Sequence, residues 1–197
     1  MNSKKTKTNK IWGQRMKLKP SYLLTKINAS IDVDKKLYVQ DIKASIAHAK
    51  MLAKQKIIKK DKSDKIIKGL KKIKKEIQQK KFKFSIFDED IHLNIERRLF
   101  EIIGNDAGFL HIARSRNDQV TTDFKLWTIE ASNTLKIEIK NLIKSILKLA
   151  EKNKDVIMPG FTHLKNAQPI LFSHYLLAYV EMFKRDYKKF NNVINNS

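Results

Sequence analysis

From Val120 to Leu149 the chain runs without a Gly or a Pro, and its apolar side chains recur at helical spacing. Val120, Phe124, Trp127, Ala131, Leu135, Leu142, Ile146 and Leu149 mark one face, and Ile139 and Ile143 broaden it. About 30 helical residues would span roughly 45 Å at 1.5 Å per residue. That is longer than a small single domain is wide. A helix apolar over so broad a face needs several partner helices, so this segment alone points to a bundle.

The rest of the chain agrees. Only 5 Gly and 3 Pro occur in 197 residues, too few for an all-β protein with a turn at every strand end. The fold class expected is all-α. The chain has no Cys, which excludes disulfide scaffolds, thiolate zinc sites and a thiol nucleophile, and fits a reducing compartment. No apolar run approaches the roughly 20 residues of a membrane span. The basic start, Met1 to Lys7, is not followed by the apolar region of a secretory signal. A cytoplasmic protein that engages no membrane is expected.

The formal charge of +22 raises the question of nucleic acid. Of the 42 basic residues, 36 are Lys and 6 are Arg. Readers of base edges and phosphates favour the planar fork of Arg, whereas Lys is the general solubilising cation. Residues 1–87 carry 26 basic and 6 acidic side chains, and the remainder 16 and 14. The excess is therefore local, much of it between Lys54 and Lys83, and reads as a solvated lysine surface with no specific nucleic-acid partner.

Residues 1–10 form a polar, basic stretch expected to be disordered. Ile42, Ile46, Ala49, Ala53 and Ile57 predict a helix from Asp41, whose carboxylate suits the N-terminal dipole. Ser63 is the expected N-cap of a second helix, with Ile66, Leu70, Ile73 and Ile77 inward. Asp88-Glu89-Asp90 opens a third, with a stripe of Ile91, Ile95, Leu99 and Ile102, and Gly104 closes it. His92 falls beside that stripe. A further helix is expected after Met158 to Leu164, with Pro169 near its first turn.

Three polar islands interrupt these helices. The first is Asp88 to His92, which also reads as an acidic helix start. In the second, Arg114-Ser115-Arg116-Asn117-Asp118-Gln119, two Arg can fork carboxylates while Asn117 and the free N–H groups of a helix start bind an anion. The third, Pro159 to Leu164, places Thr162 and His163 in a tight connection. An imidazole there titrates near neutrality and suits proton transfer, although a packed loop histidine fits the same spacing. His48, His92, His111, His163 and His174 show no metal-ligand spacing, and neither a Walker loop nor a GxGxxG occurs.

At these islands the chain resembles the argininosuccinate lyase family of the fumarase/aspartase superfamily. The matching segments, in the family's order, are Asn28 to Ile31, Ser45 to Ala49, Asp88 to Glu96 (DEDIHLNIE), Ala113 to Val120 (ARSRNDQV) and Met158 to Pro169 (MPGFTHLKNAQP). The RSRNDQ string separates this branch from fumarase, aspartase and adenylosuccinate lyase. Departures fall at Trp12 to Met16, Ala44, Phe161 and Lys165, none at a proposed catalytic position. The family's Ser-rich mobile loop is not among these 197 residues, so the resemblance implies an N-terminal portion that does not supply a complete site alone.

The resemblance further implies a reversible β-elimination of argininosuccinate to fumarate and arginine, the last step of arginine biosynthesis, with no metal and no organic cofactor. It makes His163 the acid/base residue and Ser30, Asn117 and Thr162 substrate-binding residues. Asp90, His92, Arg114, Arg116 and Gln119 become pocket-supporting residues. It also implies an N-terminal helical domain over 11–114, the first part of a central helical bundle over 115–197, and a homotetramer whose active sites are shared between chains. Two other readings remain at this stage: an inactive, crystallin-like structural member of the same fold, and a basic nucleic-acid-binding helical protein.

Overall fold

The computed structural model describes residues 21–197, so the basic stretch 1–10 and the Trp12 to Met16 departure lie outside the described residues. The chain divides into two compact units, one ending at Phe124 and the other spanning Lys125–Ser197. Helices dominate both, as expected.

In the first unit α1 (Tyr22–Asn28) and α2 (Ile31–Asp34) are short. They precede α3 (Tyr38–Lys54), α4 (Lys60–Gln78) and α5 (Ile91–Ile103). Tight 3-10 turns over Gly104–His111 lead to α6 (Arg116–Lys152), whose first turns belong to this unit. The core forms where three stripes meet: Ile42, Ala49 and Leu52 from α3, Ile66, Leu70 and Ile73 from α4, and Ile91, Ile95 and Leu99 from α5. Removing each large side chain of this set from water contributes about 1.5–3 kcal/mol. Ile46, Ile77 and Ile102 pack against its margin.

Three local expectations shift. The first long helix begins at Tyr38, ahead of Asp41, which keeps its place in the first turn and is buried there. Its stripe stops before Ile57, because the helix ends at Lys54 and Lys56 takes φ 59°; Ile57 faces solvent and Ile58 is buried in its place. The second helix begins at Lys60 instead of being capped by Ser63, whose buried hydroxyl donates across to the carbonyl of Ala49 at 3.0 Å. By contrast, Asp90 caps α5 as its residue type predicts, its Oδ1 accepting from the Leu93 amide at 2.7 Å.

Close packing of α4 on α5 depends on Gly69. A Cβ placed there would lie 2.5 Å from Cδ1 of Leu99, a fully buried side chain that would have to shift within the core. Gly69→Val is therefore expected to destabilise the protein by about 1–3 kcal/mol through overpacking, despite removing a helix-disfavouring glycine. A lowered urea midpoint at unchanged m-value is the expected observation. Outward, α4 exposes Lys60, Lys65, Lys68, Lys71, Lys72 and Lys75.

The second unit holds the rest of α6, a hairpin of β1 (Ile157–Thr162) and β2 (Lys165–Leu171), and α7 (Phe172–Asn196). α6 is 37 residues long. The hairpin replaces the expected interhelical loop, and α7 starts at Phe172, not near Pro169. Pro159 and Pro169 face each other across the ladder, so two residues without an N–H occupy one pair, and the register slips at Gly160. Neither helix face is fully covered: Trp127, Leu135, Ile137, Leu142, Tyr175, Leu177 and Met182 are exposed. No described helix is long and apolar enough to cross a membrane.

Candidate active site

The centre of the first unit's polar cluster is Arg116, the first residue of α6. Its Nη1 donates to Oε1 of Gln119 at 2.7 Å, one turn further on. Its Nε lies 3.2 Å from Oδ2 of Asp90, and Nη1 lies 3.5 Å from Oε1 of Glu96. Asp90 thus has two tasks, capping α5 with one oxygen and holding Arg116 with the other. Beneath Arg116, Nε2 of Gln119 donates to Oδ1 of Asp41 at 2.7 Å, and Nδ1 of His92 meets the same oxygen at 2.7 Å. Oδ2 of Asp123 lies 3.6 Å from the same Nδ1. Asp41, His92 and Asp123 are each at most 1% exposed.

Burial by itself would push Asp41 up. The hydrogen bond and charge of His92, the Gln119 amide and the charge of Arg114 outweigh it and hold Asp41 below its ordinary range. His92 is the converse case: burial would push it down, but the hydrogen bond and charge of Asp41, with the charge of Asp90, hold it above 6.5. For Asp123 the charges of His92 and Arg114 also act downwards, and they are outweighed. Burial, followed by the repulsion of Asp41, pushes it up to about 8.

Arg114 turns the other way, its Nη1 donating to Oγ of Ser45 on α3 at 2.9 Å. Beside it an open groove of about 360 Å³ is lined by Ala47, His48, Met51, Arg114, Asp118 and Gln119. His48 donates from Nε2 to the carbonyl of Ile112 at 2.9 Å, and burial lowers its pKa, so it serves here as a neutral donor. At the α1–α2 junction Ser30 is exposed; its hydroxyl donates to Oδ2 of Asp34 at 2.6 Å and its amide donates to the Glu89 carbonyl at 2.9 Å. Glu89 itself has φ 54°, a conformation that turns the chain into the Asp90 cap.

The structure therefore brings Asp90, His92, Arg116 and Gln119 into one bonded cluster, with Arg114 and Ser30 held by separate partners in the same unit. Asn117 sits exposed in the first turn of α6, and its side chain makes no hydrogen bond among the described residues. Thr162 and His163 belong to the second unit, where His163 and Leu164 are the two turn residues between Thr162 and Lys165. Their φ values are 50° and 63°, the positive pair of a two-residue hairpin turn that Asn and Gly usually occupy. Leu164 is 98% exposed.

Asp41, Ser45 and Asp123 were not singled out as site residues from the sequence. The signal was present: Asp41 with Ser45, and Gln119 with Asp123, are polar pairs at i, i+4 on buried helix faces. Among the described residues, Asp41, His92 and Asp123 alone group as a metal set would, with donor atoms within 4.8 Å of one another. The 2.7 Å contact of Nδ1 with Oδ1 is a hydrogen-bond distance. Two atoms bound tetrahedrally to one ion at about 2.0–2.2 Å stand further apart, so the Asp41–His92 pair is in hydrogen-bonding geometry.

An arginine held between an acid and an amide at a helix start is an arrangement suited to holding an anion. The chain belongs to the lyase family whose model matches residues 14–197. It is 58% identical over 180 residues to the argininosuccinate lyase of Pelagibacter ubique, covering 91% of this chain and 39% of that protein. It is 51% identical over 187 residues to the argininosuccinate lyase of Bartonella bacilliformis, covering 95% and 40%. The chain thus spans about 40% of the length of the curated relatives it matches. Among solved structures, an EDDS lyase variant with bound fumarate superposes with a TM-score of 0.67 at 25% identity, over 85% of this chain and 32% of that one. A fumarate lyase:delta crystallin from Brucella melitensis shares the fold, with a TM-score of 0.68 at 18% identity over 87% and 42%.

Proposed function

We propose that the chain serves the reversible β-elimination of argininosuccinate to fumarate and arginine, the last step of arginine biosynthesis, in the cytoplasm. The observation that carries this reading is Arg116, fixed by Asp90 and Gln119 at an open helix start within a segment more than half identical to argininosuccinate lyases. In the reaction a base takes the proton from the carbon next to a carboxylate. The electron pair passes into that carboxylate and then forms the C=C bond as the C–N bond breaks, and the departing nitrogen takes a proton. Fixed cations and N–H donors lower the barrier by meeting the charge that develops on the carboxylate. No step calls for a metal or an organic cofactor.

In this scheme Ser30, Asn117 and Thr162 bind substrate, the Thr162 hydroxyl holding a carboxylate, and His163 transfers a proton. Asp90, His92, Arg114, Arg116 and Gln119 support the pocket. The uncovered apolar faces of α6 and α7 favour a homotetramer with shared sites, since exposed side chains such as Trp127 and Leu142 find cover in a bundle of several chains. The test is a chimera in which this chain replaces the matching segment of the Pelagibacter relative. Fumarate release from argininosuccinate, followed by ultraviolet absorbance, is the expected result. A folded chimera that is inert towards argininosuccinate would leave the structural, crystallin-like reading in its place.

A further inference from the structure

The least expected feature of the molecule is a pair of buried carboxylates, neither of which the elimination uses directly. Asp41 and Asp123 are 1% and 0% exposed, and their oxygens lie within 4.8 Å of each other and of His92. Neither oxygen of Asp123 accepts a hydrogen bond. An ionised carboxylate in that position would be buried, unsolvated and next to a second negative charge. A protonated one becomes a donor, and Asp41 is the acceptor beside it.

Gln119 adds direction. An ionised Asp41 can only accept and a guanidinium can only donate. The amide between them therefore has one permitted orientation, Nε2 towards Asp41 and Oε1 towards Arg116, as both 2.7 Å contacts require. A reversed amide would set oxygen against oxygen and N–H against N–H. The hydrogen bonds thus run one way, from Arg116 to Gln119 to Asp41, and Asp41 also accepts from His92. With Nη1 held by Gln119 and Nε by Asp90, Nη2 of Arg116 has no bonded partner among the described residues.

We propose that Asp41 and Asp123 share one proton, which Asp123 holds and donates, and that Asp41 acts through Gln119 as a positioning residue for Arg116. The groups facing this pair are His92 from α5, Gln119 from α6 and Arg114 from the segment before it, with Asp90 and Arg116 beyond His92. The positioning role rests on the lyase reading; the shared proton does not.

Infrared difference spectroscopy of the 197-residue chain tests the proton. At pH 7 the parent should show a protonated-carboxyl band that shifts on carbon-13 labelling of Asp and is absent from Asp123→Asn, whose amide keeps a donor towards Asp41. That band should fade as pH rises through about 8. No such band at pH 7 would overturn the shared proton. Positioning is tested in the chimera by a double-mutant cycle. Asp41→Asn alone should lower kcat/KM at least tenfold. Adding Gln119→Ala should lower it little further, because Asp41 acts on Arg116 through that amide. Strictly additive losses would overturn the positioning role. If the parent chimera is itself inactive, the lyase reading fails while the infrared band still decides the proton.

Discussion

In an active chimera, His163→Asn is expected to lower kcat by about 10²–10⁴, the usual consequence of losing a positioned general acid or base. The substitution suits this position. His163 occupies a turn site with φ 50°, a conformation Asn adopts more readily than other non-glycine residues, so the hairpin should keep its shape. Asn also retains hydrogen-bonding capacity near the imidazole's place while removing the titratable nitrogen. KM should change far less than kcat. Thr162→Ala, one residue away at the end of β1, should raise KM as well, since a hydroxyl that holds a carboxylate contributes to ground-state binding. Near-parental kcat in a folded His163→Asn chimera would return His163 to a turn-packing role.

Asp41→Ala should be the most destabilising single change in the first unit, costing about 3–5 kcal/mol, because it leaves the buried His92 cation without its carboxylate. It also strands Nε2 of Gln119. Urea titration against pH gives the sign of each contribution. Asp41, depressed in the folded state, stabilises above its ordinary value of 3.8, and that contribution is lost as pH falls through its lower folded value. His92, raised in the folded state, stabilises fully below 6.5, and its share is lost as pH rises through its folded value. Asp123, pushed up to about 8, makes the fold progressively less stable from pH 3.8 to that point. The parent should therefore be most stable on the acid side of neutrality and weaken towards pH 8. Asp123→Asn should flatten that decline. A stability profile that rose steadily from pH 5 to pH 8 would contradict the assignment of protons.

Much of this molecule is legible without coordinates, because the readable parts are local. Helical periodicity of Ile66, Leu70 and Ile73, or of Ile91, Ile95 and Leu99, states which face turns inward, and those side chains are buried. Asp88-Glu89-Asp90 marks a helix start ahead of an apolar stripe, and of the three Asp90 is the one that caps it. The character of the RSRNDQ segment followed from two forked cations at a helix start, and Arg116 does sit at the first position of α6.

What depended on tertiary structure was every choice among partners distant in sequence. The hairpin at Ile157–Leu171 arises because paired prolines and a glycine suit an irregular ladder as well as they suit a loop, and local propensity does not separate the two. Ser63 fits an N-cap by residue type, yet its hydroxyl is used by the Ala49 carbonyl, 14 residues away. Asp41 looked like a dipole partner and His92 a residue beside a stripe. They meet across 51 residues in a buried space, and there each favours the charged form of the other. Which faces are apolar and which segments are chemically rich can be read from residue type and a period of 3.6 alone. The tertiary structure alone decided which carboxylate is ionised and which keeps its proton, because a pKa depends on burial and on neighbours that packing, not chain order, brings together.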